Sequence, residues 1–122
     1  MVTMTLTCSD LPDGIRKIDL AGRLDVEGAD AIDLKFTVLT SSDRTLSVVD
    51  LSGVEFLASI GISTLVRAAK AAKLRHGNLV LLSPRPNVAA VLATTRIDQV
   101  IPVCQTLEEA RTVLKEHPSP PA

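Results

Sequence analysis

The stretch "LSVVDL", Leu46 to Leu51, constrains the fold of this 122-residue chain more than any other. Its apolar residues run on without alternating, so it reads as a strand buried on both faces, as strands of a parallel sheet are. A parallel strand needs a neighbour reached by a crossover, usually a helix. The downstream sequence supplies that alternation. From Ser59 to about Arg75 the pattern is helical, with His76-Gly77-Asn78 as its stop. Leu79 to Leu82 is a second short buried strand. Pro84 and Pro86 open a helix reaching about Thr94, since proline suits a first turn. Val100 to Val103 is the last strand. Thr106-Leu107-Glu108-Glu109 is a capping box that starts a final helix running to about Lys115.

Upstream, Val2, Met4, Leu6 and Cys8 share one face of a half-buried strand. Pro12-Asp13-Gly14 is a turn, and Ile15 to Leu20 returns as the second arm of a hairpin. Ala29, Ile32, Phe36 and Leu39 then form a helical stripe, ended by Ser41-Ser42-Asp43-Arg44. Asp25 precedes that helix, where its carboxylate caps free N–H groups. The order ββαβαβαβα predicts one α/β sandwich: a central mixed sheet of about five strands with four helices. The whole is one domain over residues 1–116, with residues 117–122, rich in proline, as a disordered tail.

Composition narrows the function. Thirteen basic residues against 14 acidic give a net charge of −1, and Tyr and Trp are absent. Nothing here favours a phosphate backbone or stacks on bases, so no nucleic-acid partner is expected. The first residues lack the basic start and continuous apolar core of a signal peptide, and no apolar run reaches the ~20 residues that span a bilayer. The expectation is a cytoplasmic protein without membrane insertion. Cys8 and Cys104 form no CxxC, and His76 and His117 have no partners at ligand spacing, so two reduced, buried or half-buried thiols and no metal are expected. No glycine-rich phosphate loop and no nucleophile with its base stand out, so neither a cofactor nor an enzyme is expected. The turn "LASIG" lacks the glycine that precedes serine in a hydrolase elbow.

What remains is a polar constellation of Asp25, Asp50 and Ser59, each read as lying beside a strand end or helix start, where open α/β sheets present functional groups. Asp25 and Ser59 read equally well as helix N-caps, and Asp50 as a structural carboxylate. For Ser59 the small residues Gly61, Ser63 and Thr64 close behind it suggest a helix start approachable from outside. The face formed by Asp25, Ser59, Ile60, Gly61 and Ile62 is accordingly predicted to bind a partner, with Leu65, Ala68, Ala69 and Ala72 as the inward stripe.

These stretches also carry a resemblance. "GRLDVEGADAI" and "VVDLSGVEFLASIG" resemble the STAS domain of the anti-sigma factor antagonists, through Gly22, Leu24 and Asp25, the run Asp50 to Phe56, the turn Ser59 and Gly61, and the terminal Thr-Leu-Glu-Glu-Ala. The likeness spans roughly Gly14 to Leu114. It implies that Ser59 is the residue phosphorylated by an anti-sigma factor with serine-kinase activity. It also implies that the unmodified form binds that partner to free a sigma factor, with Asp25 in the docking face. At the turn the family commonly reads Asp-Ser-Ser/Thr-Gly, and this chain reads Ala58-Ser59-Ile60-Gly61, leaving one acceptor. Related modules serve as small subunits of lipid-transport or stress-signalling complexes, the alternative reading. A monomer or weak dimer is expected.

Overall fold

In the computed structural model, which describes residues 4–116, the chain runs β1 Met4–Asp10, β2 Arg16–Leu24, α1 Val26–Thr40, β3 Leu46–Leu57, α2 Ser59–Leu74, β4 Asn78–Leu82, α3 Pro86–Thr94, β5 Val103–Cys104 and α4 Leu107–Glu116. Val2 and the expected tail at 117–122 lie outside the described residues. The five strands lie in sequence order in one sheet. The β1–β2 hairpin is antiparallel, pairing Met4 with Gly22 through to Asp10 with Arg16. Its turn is closed by Leu11 N–H donating to the Ile15 carbonyl at 2.8 Å, and Gly14 takes φ +84°, a left-handed conformation that glycine adopts without strain. The remaining pairs, β2–β3, β3–β4 and β4–β5, are parallel.

The double burial predicted for "LSVVDL" is the key to the layers. Val49 and Leu51 face a large core built with Ile32 and Phe36 of α1, Leu65 and Ala68 of α2, and Val88 and Leu92 of α3. Val48, on the opposite face, joins Ile15, Val80, Leu82 and Cys104 under Ala110 and Leu114 of α4. The sheet is thus covered by three helices on one side and by α4 alone on the other. Two ion pairs fasten α4 to the hairpin turn, Asp13 Oδ2 lying 2.7 Å from Arg111 Nε and 3.0 Å from Lys115 Nζ. In the capping box, Glu109 N–H donates to Thr106 Oγ1 at 3.1 Å. The Glu109 carboxylate accepts from the Gln105 amide at 3.3 Å, one residue before the cap.

Three local expectations need correction. β3 continues to Leu57 rather than ending near Leu51. Against β2 it carries two extra residues: Asp50 to Gly53 spans only Asp19 to Ala21, and Val54 to Phe56 only Gly22 to Arg23. These bulges bring Leu51, Val54 and Leu57, three apart in sequence, onto one buried face, which hides the strand period. β5 is Val103–Cys104 rather than Val100–Val103. The amides of Gln99, Val100 and Ile101 are spent on the carbonyls of Arg96 and Ile97 in a 3-10 turn, and Pro102 has no amide to donate. Cys8, expected half-buried, is exposed, because β1 is the sheet edge and its inner face is covered only near Met4 and Leu6; Cys104 is buried.

Candidate functional site

Parallel strands β2 and β3 end side by side, Leu24 opposite Leu57, and Ala58 N–H donates to the Leu24 carbonyl at 3.1 Å. One residue on from each end a helix begins. The sheet therefore sets the starts of α1 and α2 together at the carboxyl edge of the strands, the usual place for a site in an open α/β sheet. Asp25 and Ser59 both lie at that edge.

Asp25 caps α1. Its backbone is extended, and Oδ1 accepts from Gly28 N–H at 2.9 Å. That hydrogen bond, helped by Arg23 Nε 3.4 Å from Oδ2, holds the carboxyl below its ordinary pKa against a weaker opposing effect of burial. The Arg23 guanidinium lies 4.4 Å from the centre of the Phe56 ring, a cation–π contact between two exposed side chains. Gly28 is obligatory at this start: a Cβ there would sit 1.9 Å from the Arg23 carbonyl oxygen.

Ser59 is not a cap. Ala58, extended at φ −93° and ψ 169°, holds the N-cap position of α2 and offers no side-chain acceptor, so Ser59 is the first helical residue. Its side chain is exposed, and no protein hydrogen bond engages its hydroxyl among the described residues. The first helical amide paired within the helix is Ile62 N–H, bonded to the Ala58 carbonyl at 3.1 Å, and the first turn contains no acidic residue. The start of α2 is thus an uncapped positive dipole end with a free hydroxyl on it.

The neighbours of Ser59 divide between inside and outside. Ile60 is 38% exposed and contributes to a groove of about 300 Å³ between α1 and α2, walled by Val26, Ala29, Asp30 and Thr64 and crossed by the Arg67–Asp33 pair at 3.5 Å. Ile62 is half-buried against the main core, not an exposed flank of the serine. Gly61 is buried too. A Cβ there would meet the Leu24 carbonyl oxygen at 2.6 Å and Leu57 Cδ1 at 2.8 Å, so its smallness serves helix-to-strand packing and not access from outside. The inward stripe Leu65, Ala68, Ala69 and Ala72 is buried as expected.

Asp50 stands apart from the site. Because β3 runs on to Leu57, Asp50 lies in mid-strand, level with Asp19, five residues of β2 or about 17 Å from the strand ends. Burial alone would raise its pKa, but the Ser52 amide at 2.8 Å and Lys17 Nζ at 3.4 Å outweigh that and lower it. It is a structural carboxylate. Val26, 69% exposed beside the Asp25 cap, and Arg67 belong to the groove and were not singled out in the sequence. An apolar residue at the first position of a capped helix was the available signal for Val26.

Comparison with known proteins places the chain. The model of the STAS domain family matches residues 10–110. An anti-sigma factor antagonist from Mycobacterium paratuberculosis is similar in structure with a TM-score of 0.80 at 26% identity, over 92% of this chain and 94% of that one. An anti-sigma-factor antagonist (STAS) domain protein from Planctomyces limnophilus gives 0.78 at 27% identity, over 90% and 97%. The anti-sigma factor antagonist SpoIIAA in its unphosphorylated form shares the fold, with 0.74 at 18% identity over 92% and 97%. The chain belongs to the STAS domain family.

Proposed function

We propose that this STAS domain is an anti-sigma factor antagonist. It binds an anti-sigma factor that is also a serine kinase, thereby releases a sigma factor, and is switched off by phosphorylation of Ser59. The observation that carries the reading is the state of Ser59: exposed, first in α2, without a hydrogen-bond partner in the described structure, and beside the exposed Ile60. The similarity to antagonists at 26% and 27% identity supports the partner class. Docking would use the edge of Asp25, Ser59 and Ile60 and the adjoining groove, while Gly61 and Ile62 act beneath it by setting how α2 leaves the sheet. No helix among the described residues is long and apolar enough to cross a membrane.

Phosphorylation adds about −1.5 to −2 charges at neutral pH. On the uncapped start of α2 that charge is locally favourable, so the fold survives it. A partner that had covered a neutral hydroxyl must instead desolvate a dianion. Incubation with the kinase partner and ATP, followed by intact-mass measurement, tests the reading: one added phosphate on the wild type and none on Ser59→Ala is expected. Absence of phosphate on the wild type, with partner affinity intact, would favour a constitutive scaffold or transport-complex subunit instead. Ala58 and Ile60, standing where the family commonly has an acid and a second hydroxyl, are the features that keep this second reading in view. Ile60→Asp should weaken partner binding, and unchanged affinity would remove Ile60 from the interface.

A further inference from the structure

The sheet has two edges, and only one of them is blunted. β5 is two residues long and followed closely by α4, whereas β1 runs for seven, Met4–Asp10. Exposed edges are ordinarily guarded by lysine, proline, a bulge or a covering element. β1 has no lysine or proline, pairs with β2 without a register shift, and is uncharged from Met4 to Ser9. Its backbone faces outward in alternation. Leu11 and Ile15 close the hairpin as a hydrogen-bonded pair, and the same pairing with β2 recurs at Ser9, Thr7 and Thr5. Leu6, Cys8 and Asp10 therefore turn their N–H and C=O groups to the free edge, where no other hydrogen bond reaches them among the described residues. We infer that this edge pairs antiparallel with β1 of a second copy of the chain, centred on Thr7, joining two sheets into one.

A second copy fits this edge in shape, side chains and charge. α1 crosses the hairpin obliquely. It begins against Met4, whose Cβ lies 3.3 Å from where a Cβ of Gly28 would be, and ends against β2, where Arg16 Nη1 donates to the Leu39 carbonyl at 3.0 Å. Thr7 to Asp10 are left exposed on both faces of the strand. Antiparallel pairing about Thr7 sets this bare end beside the helix-covered end of the other copy, and symmetry does so twice. A parallel pair would set bare end beside bare end. In the antiparallel register Thr7 opposes Thr7 and Thr5 opposes Ser9 on one face, hydroxyl pairs of the kind that stabilise sheets, and Leu6 opposes Cys8 on the other. No like charges meet: Asp10, the one charge on the strand, faces Met4 of the second copy and keeps its own Arg16 at 3.3 Å. Seven residues a side bury less than the roughly 800 Å² per partner of a stable interface, so the association is weak and reversible. β2 separates this edge from β3, which delivers Ser59, and none of β1 lines the α1/α2 groove, so the pairing stands or falls independently of the phosphorylation switch.

Sedimentation equilibrium of the full chain from about 10 μM to about 1 mM, beside a disulfide trap, tests the pairing. A concentration-dependent dimer is expected. Cys8→Pro removes an amide that makes no bond within the monomer, at an edge where proline is tolerated, and should weaken the dimer by more than about tenfold. Cys8→Lys, which introduces the residue that guards natural edges, should do the same, and it supplies the readout if the proline variant does not melt cooperatively. In the pair the two Thr7 Cα atoms lie about 4.5 Å apart, within disulfide reach, and the two Cys8 Cα atoms about 7–8 Å apart on the diagonal, beyond it. Thr7→Cys in a Cys8→Ser background should therefore give a disulfide-linked dimer in a glutathione buffer, and the wild type should not; Cys104 is buried and takes no part. A wild type that stays monomeric over that range, a dimer indifferent to both Cys8 variants, or a trap that closes through Cys8 and not through position 7 would overturn the inference. A monomeric wild type whose Leu6 and Cys8 amides resist hydrogen exchange only when an anti-sigma factor is added would assign the edge to that partner's strand and likewise overturn it.

Discussion

Replacing Ser59 by alanine and by glutamate should separate stability from binding. The serine is exposed, makes no cap and engages no hydrogen bond in the described structure, so its hydroxyl contributes little to the fold. Ser59→Ala should therefore change stability by less than about 0.5 kcal/mol, as surface substitutions away from special features do. That is smaller than the ~1 kcal/mol loss expected of a true cap. Ser59→Glu puts a carboxylate into a first turn with no acidic residue, which stabilises by roughly 0.3–1 kcal/mol and raises the melting temperature by about 1–4 °C. Affinity for the anti-sigma partner should move the other way. Alanine should bind like the wild type. Glutamate should lose about 4 kcal/mol, close to a thousandfold, because an unpaired charge must be desolvated under the partner. Thermal melts beside calorimetric titration with the partner measure both quantities. Equal partner affinity for the two variants would refute the switch, and a ~1 kcal/mol loss in Ser59→Ala would refute the placement of the cap at Ala58.

Other outcomes follow from packing and charge. Gly61→Ala should destabilise by about 1–3 kcal/mol, since its Cβ lands within 2.8 Å of three atoms of Leu24 and Leu57. Gly28→Ala should cost more in the same urea titrations, because its Cβ lands 1.9 Å from a backbone oxygen that cannot swing aside. The Asp13 carboxyl is lowered from 3.8 to about 2, chiefly by the hydrogen bond from Lys115, with desolvation opposing and Arg111 adding to the lowering. Its folded pKa lies below the unfolded one, so its contribution is present above about pH 4 and is lost as pH falls towards 2. Asp13→Asn should be less stable than the wild type at pH 7, and the gap should close across that window in denaturation curves taken at each pH. Arg85→Ala with Asn87→Ala should destabilise by about 1 kcal/mol and speed amide exchange in the second half of β3. Their side chains donate at 2.8 Å to the Ser52 and Glu55 carbonyls, on an edge that β4 leaves unpaired beyond Asp50; unchanged exchange there would show the edge needs no cover.

The layers were legible in the sequence because both periods were clean where they mattered. "LSVVDL" has no polar face, and the alternation of such strands with helical stripes leaves an α/β sandwich as the consistent packing. The hairpin followed from Pro12-Asp13-Gly14 and the alternation around it. Legibility failed where backbone hydrogen bonds, not side-chain pattern, decide the structure. The two bulges of β3 give its inner residues a spacing of three, which looks like a helix or a loop. Pro102 and the 3-10 turn before it spend the amides that a longer β5 would need. The same holds at the site. Asp25 was readable as a cap because an acidic residue there has one common use. Ser59 was misplaced by one position, since small polar residues look alike at N-cap and first helical positions. Which of the two it occupies depends on where β3 releases the chain, at Leu57, and the bulges conceal that point.

That one-position shift bears on mechanism. A capping serine turns its oxygen back onto the helix amides, and phosphorylating it would require that bond to break first. Serine in the first helical position makes no such bond. Its hydroxyl points to solvent while Ala58, with no oxygen to offer, leaves the end of the helix unneutralised. A phosphate added at Ser59 therefore arrives where backbone dipoles favour negative charge and where nothing must be dismantled to admit it. The Leu24–Ala58 hydrogen bond and the buried Gly61 keep the backbone around the serine fixed. With little conformational response available inside the domain, the cost of the proposed phosphorylation would fall on whatever covers Ser59. On the proposed reading, a surface that tolerates the charge alone and not under a partner would make modification of one hydroxyl enough to separate two proteins.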